Sequence, residues 1–342
     1  MANESINVLY LSDNHYAPFA GVSIVSLFEN NKHFDAIRVF VIDDNIAEDN
    51  KQKMRQVAEQ YGRELIFLDV SYGIRTLESM GAPKYRNSYT TYLKLFTLAE
   101  LPADVHRVFF IDSDSVVLGS LSGLTDFDMQ GNPVAAVKDI LCRAYMITLG
   151  FDPNDSWYNM GMMLVDVDLW KSMQCQQMIM NQMKIRSAYV AVDQDLLNIC
   201  LHGRISTLSP VYNATPHHYL FEHEDVMKNF PQADFYGKPE IEESRRHPVI
   251  HHFERFVGDS PWNKGSLHPY VADFDRYLAI SPWKAYQKQP SGNQSLIFRA
   301  ERLLYRVLPK RLFLKFYAFG MRQYFARRNA QLSRGGVANI QS

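Results

Sequence analysis

The chain is poor in cysteine and has no long apolar run. Its three cysteines are Cys142, Cys175 and Cys200, an odd number with no CxxC spacing. That argues against a disulfide-stapled scaffold and for a reducing compartment. No segment approaches the roughly 20 apolar residues that cross a bilayer. The opening MANESINVLYLS has neither the basic start nor the long apolar stretch of a secretory leader. A cytoplasmic location is therefore predicted. Glycine is missing where a dinucleotide fold needs it: the first apolar run is followed by LSDNHYAP, not by GxGxxG. No GxxxxGKS or GxxxxGKT occurs either, which disfavours a P-loop.

Apolar residues make up 46% of the 342, enough for a substantial core. The length suits one large α/β domain with appended elements. The net charge of −1 hides an asymmetry. Residues 293–334 carry ten Lys or Arg and one acid, Glu301, whereas residues 1–292 carry 26 basic and 36 acidic residues. An acidic body with a basic tail points to different partners for the two parts. The acidic body and the lack of a base-reading motif argue against nucleic acid.

Strand-like runs at 6–12, 37–43 and 64–70 alternate with helix-like stretches at 19–30 and 47–61. This is the pattern of a parallel sheet covered by helices. Residues 71–88 read as loop, 90–101 as helix and RVFFID (107–112) as strand. Further strands are expected at 132–139, from 161 and at 248–253, and further helices at 191–203 and 270–280. Residues 140–156 and 213–247 read as loop.

Four motifs carry possible chemistry. Asp112-Ser113-Asp114 ends a strand, where α/β ligand sites gather. Two carboxylates across a turn suit a hard divalent cation, though the same triplet also suits an ordinary polar turn. His251-His252 ends a later strand, and either imidazole could add a third metal ligand or be a plain buried histidine. In Tyr158-Asn159-Met160-Gly161, Gly161 permits close approach of a ligand and Asn159 can bind hydroxyls; a tight turn explains it equally. Asp193-Gln194-Asp195 opens a helix, as an N-cap or as a sugar-hydroxyl acceptor set.

Taken in order, DSDSVVLGSL, WYNMGMMLVDVDLW, DQDLLN and IHHF…SPW resemble glycosyltransferase family 8, with LSDNHYA and TTYLKLFTLAELP extending the match over about residues 6–265. Within the family, the chain is similar to the bacterial lipopolysaccharide core glucosyl- and galactosyltransferases. The resemblance implies a GT-A fold: a Rossmann-like mixed sheet flanked by helices over residues 1–280, followed by a helical basic extension over 281–342. It also implies a retaining, metal-dependent transfer from UDP-glucose or UDP-galactose. Asp112 and Asp114, with Ser113 between them, then match the DxD that holds Mn²⁺ or Mg²⁺, and His252 matches the metal histidine because Phe253 follows it. Leu11, Asp13 and His15 fall where the family contacts the nucleoside, and Asn159 and Gly161 where it contacts the donor sugar. Gln194, flanked by Asp193 and Asp195, would lie near the anomeric carbon. A glutamine is a poor nucleophile, so same-face attack through an oxocarbenium-like state is favoured over a covalent intermediate. Lys94 stands where the family often has a diphosphate-binding arginine. Ser260-Pro261-Trp262 replaces Lys-Pro-Trp, leaving Arg255 or Lys264 to supply the missing phosphate contact.

The tail, 296–328, interleaves apolar, aromatic and basic residues. It reads either as two helices capping the core or, preferred here, as a peripheral anchor on the anionic inner face of the inner membrane. The expected partners are a UDP-hexose donor and a lipopolysaccharide core acceptor. The alternatives are a soluble or protein acceptor, and a non-catalytic sugar-nucleotide-binding protein on the same scaffold.

Overall fold

A computed structural model describes residues 4–85, 87–140, 143–152, 154–186, 189–292 and 295–334. The strands are β1 (Ser5–Asp13), β2 (Ala36–Asp44), β3 (Glu64–Leu68), β4 (Arg107–Asp112), β5 (Ser115–Val117), β6 (Val134–Lys138), β7 (Tyr158–Asp166), β8 (Ile205–Thr207) and β9 (Ile250–His252). In the first half lie helices α1 (Ala17–Asn30), α2 (Glu48–Gln60), α3 (Ser71–Ser79), α4 (Thr90–Thr97) and α5 (Arg143–Thr148). Then come α6 (Val167–Ser172), α7 (Cys175–Ile185), α8 (Val192–Cys200), α9 (Pro216–Leu220), α10 (His223–Asn229), α11 (Lys238–Arg246) and α12 (Val271–Ala279). The basic tail forms α13 (Leu296–Val307) and α14 (Lys310–Arg334).

Seven strands form one sheet in the order β3-β2-β1-β4-β7-β6-β8. β7 runs antiparallel to both neighbours, and the other pairs are parallel. The sheet is thus mixed, and β1, β4 and β6 all end at the same edge. Side chains alternate across the strands. Val8, Tyr10, Val39, Val41, Phe109 and Ile111 face a core shared with α1, α2 and α12, while Leu9, Phe40, Ile42, Val108 and Phe110 face one shared with α4, α7 and α8. Burial on both faces explains why these strands read as continuous apolar runs. β5 leaves the main sheet and pairs antiparallel with β9, setting Ser115 opposite His252.

Several stretches read as loop are helical: α3 within 71–88, α5 within 140–156, and α9, α10 and α11 within 213–247. Each is short and buries few residues: Gly73 and Leu77 of α3, Tyr145 and Met146 of α5, Pro216 and His218 of α9, Val226 of α10, and Ile241 and Ser244 of α11, so there is little apolar periodicity to detect.

The tail packs on the body. Phe313, Leu314 and Tyr317 of α14 join Phe221, Phe256 and Val257 in one apolar cluster, and Phe325 joins Tyr145 and Trp157 in another. The rings of Phe325 and Tyr145 lie 5.0 Å apart. The capping arrangement is therefore present. The other faces still expose Leu296, Ile297, Leu303, Val307, Leu312, Phe316, Phe319 and Tyr324. Trp283, just past residue 280, belongs to the main core: its ring covers Gly21 of α1, and its indole N–H donates to Asn50 Oδ1 at 2.8 Å. Among the described residues, no helix is long and apolar enough to cross a membrane.

Candidate active site

The parallel register of β1 and β4 sets Leu11 beside Asp112 at the carboxyl edge of the sheet. Ser113 Oγ donates to Leu11 O at 2.6 Å, which turns the chain so that Asp112 and Asp114 face the same space. β9 brings His252 to them, with Nε2 at 3.8 Å from Asp112 Oδ2 and 3.5 Å from Asp114 Oδ1. One ligand atom from each of the three lies within 4.8 Å of the others. Asp112 and Asp114 keep 33% and 27% of their side-chain surface open, so the group is recessed but reachable. Two carboxylate oxygens and an imidazole nitrogen at one reachable point fit a divalent cation such as Mn²⁺ or Mg²⁺.

The neighbouring residue on β9 does something else. Strand alternation turns His251 to the opposite side, where its ring stacks on Tyr270 at 3.7 Å and its Nδ1 meets Asp273 at 2.9 Å. Of the two histidines, it is His252 that faces the carboxylates.

Asn213, which the sequence did not single out, orients that imidazole. Its Oδ1 accepts from His252 Nδ1 at 3.0 Å, leaving Nε2 for the carboxylates, while its Nδ2 donates to Asn159 Oδ1 at 2.9 Å. Asn159 Oδ1 also accepts from Gly161 N at 2.9 Å. Gly161 has to be glycine, since a Cβ there would lie 2.5 Å from His252 Cε1 and 2.8 Å from Asp112 Oδ2. Asn159 Nδ2 donates to Asp139 Oδ2 at 3.2 Å and to Glu254 Oε1 at 2.5 Å. Gln194 Nε2 reaches the same Asp139 Oδ2 at 3.1 Å, and its Oε1 accepts from Met160 N at 3.3 Å. Asp139 and Glu254 are thus members of the cluster that sequence reading missed. Asp139 did carry a signal, because it directly follows β6 at the same edge as Asp112. Glu254 follows the His-Phe pair with no pattern of its own.

Electrostatics mark the site. Burial pushes Asp112 up to about 7 even though Lys94 pulls the other way, and the like charge of Asp114 adds to the rise. Burial would lower His252, but the hydrogen bond and charge of Asp114, with Glu254 and Asp112, outweigh it and lift the imidazole to about 9. Asp114 is correspondingly held below the usual range, its burial outweighed by His252. Glu254 rises to about 7 through burial and the charge of Asp139. Carboxylates crowded at this density favour positive charge beside them, here that of Lys94 and the His252 imidazolium.

The structure places three further candidates. Lys94 is 3% exposed, and its ammonium is engaged by Asp193 at 2.6 Å and Met160 O at 2.8 Å, with Asp112 at 4.0 Å. Burial would lower it, but Asp193 and Asp112 outweigh that and keep it charged. Lys94 thus ties the Asp-Gln-Asp helix to the Asp-Ser-Asp turn. Asp195 points away from the group. It is fully buried, and its Oδ2 accepts from Tyr145 OH at 2.5 Å and from the backbone N–H groups of Val190 and Ala191 at 3.0 Å, anchoring the start of α8. Lys264 lines a cavity with Gly258 and Arg302 whose walls include none of Asp112, Asp114, Asn159 or His252. The nucleoside candidates lie at the end of β1. Asp13 Oδ1 accepts from Tyr16 N at 2.8 Å, and His15 is exposed against Tyr16 and Phe19.

A mixed sheet with a recessed carboxylate–imidazole group at its carboxyl edge is the architecture of a GT-A glycosyltransferase. The sequence profile of Glycosyl transferase family 8 matches residues 7–265, and the chain belongs to that family. General stress protein A of Bacillus subtilis is 26% identical over 272 residues, 77% of this chain and 90% of that protein. The lipopolysaccharide 1,2-glucosyltransferase of Escherichia coli K12 is 27% identical over 216 residues, covering 62% of each chain. Among solved structures, the galactosyltransferase LgtC bound to donor and acceptor sugar analogues superposes with a TM-score of 0.65 at 22% identity, covering 81% of this chain and 96% of that one. The chain is thus a member of a glycosyltransferase family and has the GT-A fold.

Proposed function

We propose that the chain is a retaining, metal-dependent hexosyltransferase that moves glucose or galactose from a UDP-sugar to a lipopolysaccharide core oligosaccharide. The observation that carries this reading is the convergence of Asp112, Asp114 and His252 within 4.8 Å, beside the Asn159–Asp139–Gln194 hydrogen-bond network. The three residues would hold Mn²⁺ or Mg²⁺ together with the donor diphosphate, and the ion would supply Lewis-acid neutralisation of the charge left on departing UDP. Leu11, Asp13 and His15 would receive the nucleoside. Asn159, Asp139 and Glu254 would take hydroxyls of the hexose as acceptors and donors, and Gln194 would stand by the anomeric carbon. Gln194 is an amide held by Asp139 and Met160 N, better suited to stabilising partial charge than to forming a bond. That supports same-face attack by the acceptor hydroxyl on an oxocarbenium-like sugar. Lys94 and Asn213 act as positioning residues.

The tail's exposed apolar and aromatic side chains, set among Arg and Lys, support a peripheral seat on the anionic inner face of the inner membrane, where a lipid-linked acceptor would be presented.

The test is UDP release from UDP-glucose and UDP-galactose with a truncated lipopolysaccharide core as acceptor, with and without Mn²⁺. Turnover is expected to stop on chelation and to fall at least about a hundredfold in Asp112→Asn. Parental turnover in that variant, or turnover indifferent to chelators, refutes the reading.

A further inference from the structure

The cavity that took in Lys264 raises a separate question. It has a volume of about 310 Å³ and lies between the turn at Val257–Gly258, the stretch at Pro290–Ser291 and one face of α13. Arg299, Arg302 and Arg306 line it, at the i, i+3 and i+7 spacing that places them on a single face of the helix. Lys264 also lines it. Among the described residues, Asp259 is the only acid on its surface, and that charge is already committed. Its Oδ2 pairs with the Arg302 guanidinium and accepts from Leu267 N at 3.0 Å. Arg302 is held a second time by Gly265 O at 3.1 Å. One acid and one arginine therefore cancel, and Lys264, Arg299 and Arg306 are left without a carboxylate partner among the described residues.

Three uncompensated cations around one concavity repel one another, and nothing in the core of the fold needs them there. Arg299 and Arg306 are exposed, so they could turn outward on a featureless surface. Here they flank a recess floored by the Asp259–Arg302 pair, beside which Ser291 Oγ donates to Gly258 O at 3.0 Å. Guanidinium forks match the oxygens of a tetrahedral oxyanion, and an ammonium adds a point charge. The space is larger than one phosphate group fills, which leaves room for the polar body that carries it.

We infer that this cavity is a second anion site, built jointly by the 257–264 loop and the C-terminal extension, that takes a phosphomonoester borne on a sugar or glycerol unit. It stands apart from the donor reading, since none of the residues assigned to the donor cluster around Asp112 lines it. A phosphate of this kind reaches the protein either on a soluble or glycan-borne sugar phosphate or on an anionic lipid headgroup, and the recognition chemistry is the same for both.

The test uses the full chain, metal-free and in chloride buffer, titrated by calorimetry with inorganic phosphate and with glycerol 3-phosphate. Saturable binding is expected, tighter for glycerol 3-phosphate. The double variant Arg299→Gln/Arg306→Gln, which changes only exposed side chains, should weaken it at least about tenfold, the loss typical of removing charge-assisted hydrogen bonds. Asp112→Asn should bind both probes as the parent does, which separates this site from the donor cluster whether or not the donor reading survives. A second arm adds phosphatidylcholine vesicles containing phosphatidic acid. Displacement of glycerol 3-phosphate by these vesicles, but not by pure phosphatidylcholine, assigns the lipid headgroup; no displacement assigns the soluble or glycan-borne phosphate. The inference is overturned if the parent binds neither probe, if the double variant binds as well as the parent, or if Asp112→Asn abolishes binding.

Discussion

Asn213 holds two side chains at once, since its carbonyl accepts from the His252 ring while its amide donates to Asn159. Replacing it with alanine leaves the imidazole free to rotate and Asn159 Oδ1 short of a donor. Apparent Mn²⁺ affinity should drop about 10- to 100-fold, as is usual when a ligand's outer hydrogen bond is lost, measured by Mn²⁺ titration of UDP binding with circular dichroism unchanged. Gly161→Ala acts by volume instead. Its methyl would meet His252 and Asp112 well inside contact distance, so those two side chains must separate, and turnover should fall at least tenfold if they hold the metal as proposed. If Gly161→Ala retains full Mn²⁺-dependent turnover, the close approach described above is wrong. At this scale the sequence was informative where a motif ends a strand and silent where a residue works by contact. Asp112, Asp114 and Asn159 sit in recognisable order at strand termini. Asn213 and Glu254 reach the site from turns distant in sequence, and only the folded chain brings them there. Lys94 was legible as a cation near the site but not as an internal tie, because its depth depends on how α4 packs under α8.

Among the elements, the central strands were readable because burial on both faces makes them continuous apolar runs, whereas the three-residue β8, with only Ser206 buried, was not assigned. The missed helices, α3, α5 and α9 to α11, are short and each buries only one or two residues. α7 was not assigned for a similar reason: of its eleven residues only Cys175, Ile179 and Met183 are buried. α14 illustrates the opposite case, an element with a clear helical composition whose docking could not be read. Phe313 lies 5.1 Å from Tyr305 and 6.3 Å from Phe256, at 1% exposure. Phe313→Ala should cost about 3–5 kcal/mol if the tail is integral to the fold, read as a lowered midpoint in urea monitored on the whole chain. A midpoint equal to the parent's would mean that the tail folds independently of the body.

Across the whole molecule, ionisation gives stability a direction in pH. His252 is lifted to about 9 in the metal-free protein. Its contribution is complete below its unfolded value near 6.5 and is lost as pH rises through 9. Asp112, raised to about 7, works in the same sense: the folded state prefers it protonated, so stability declines as it ionises between its unfolded value near 3.9 and 7. Buried histidines act on the acid side. Burial lowers His217 to about 4, and His218 and His268 to about 3, so protonation of the unfolded chain draws stability away as pH falls below 6.5. Thermal melts of the metal-free chain should therefore show lower midpoints at pH 9 and at pH 4.5 than near pH 6.5. Added Mn²⁺ should raise the midpoint more at pH 9 than at pH 6.5, since ligation requires the deprotonated imidazole. A stabilisation by Mn²⁺ that shrinks with rising pH would exclude His252 as a ligand.

One ring joins the far end of the chain to the chemistry. Tyr145 touches Phe325 of the last helix on one side and, through its hydroxyl, grips the Asp195 carboxylate at the root of the Gln194 helix on the other. If Gln194 stands by the anomeric carbon as proposed, a force that lifts the tail from the body would reach it through these two contacts. Where the extension comes to rest would then bear on turnover.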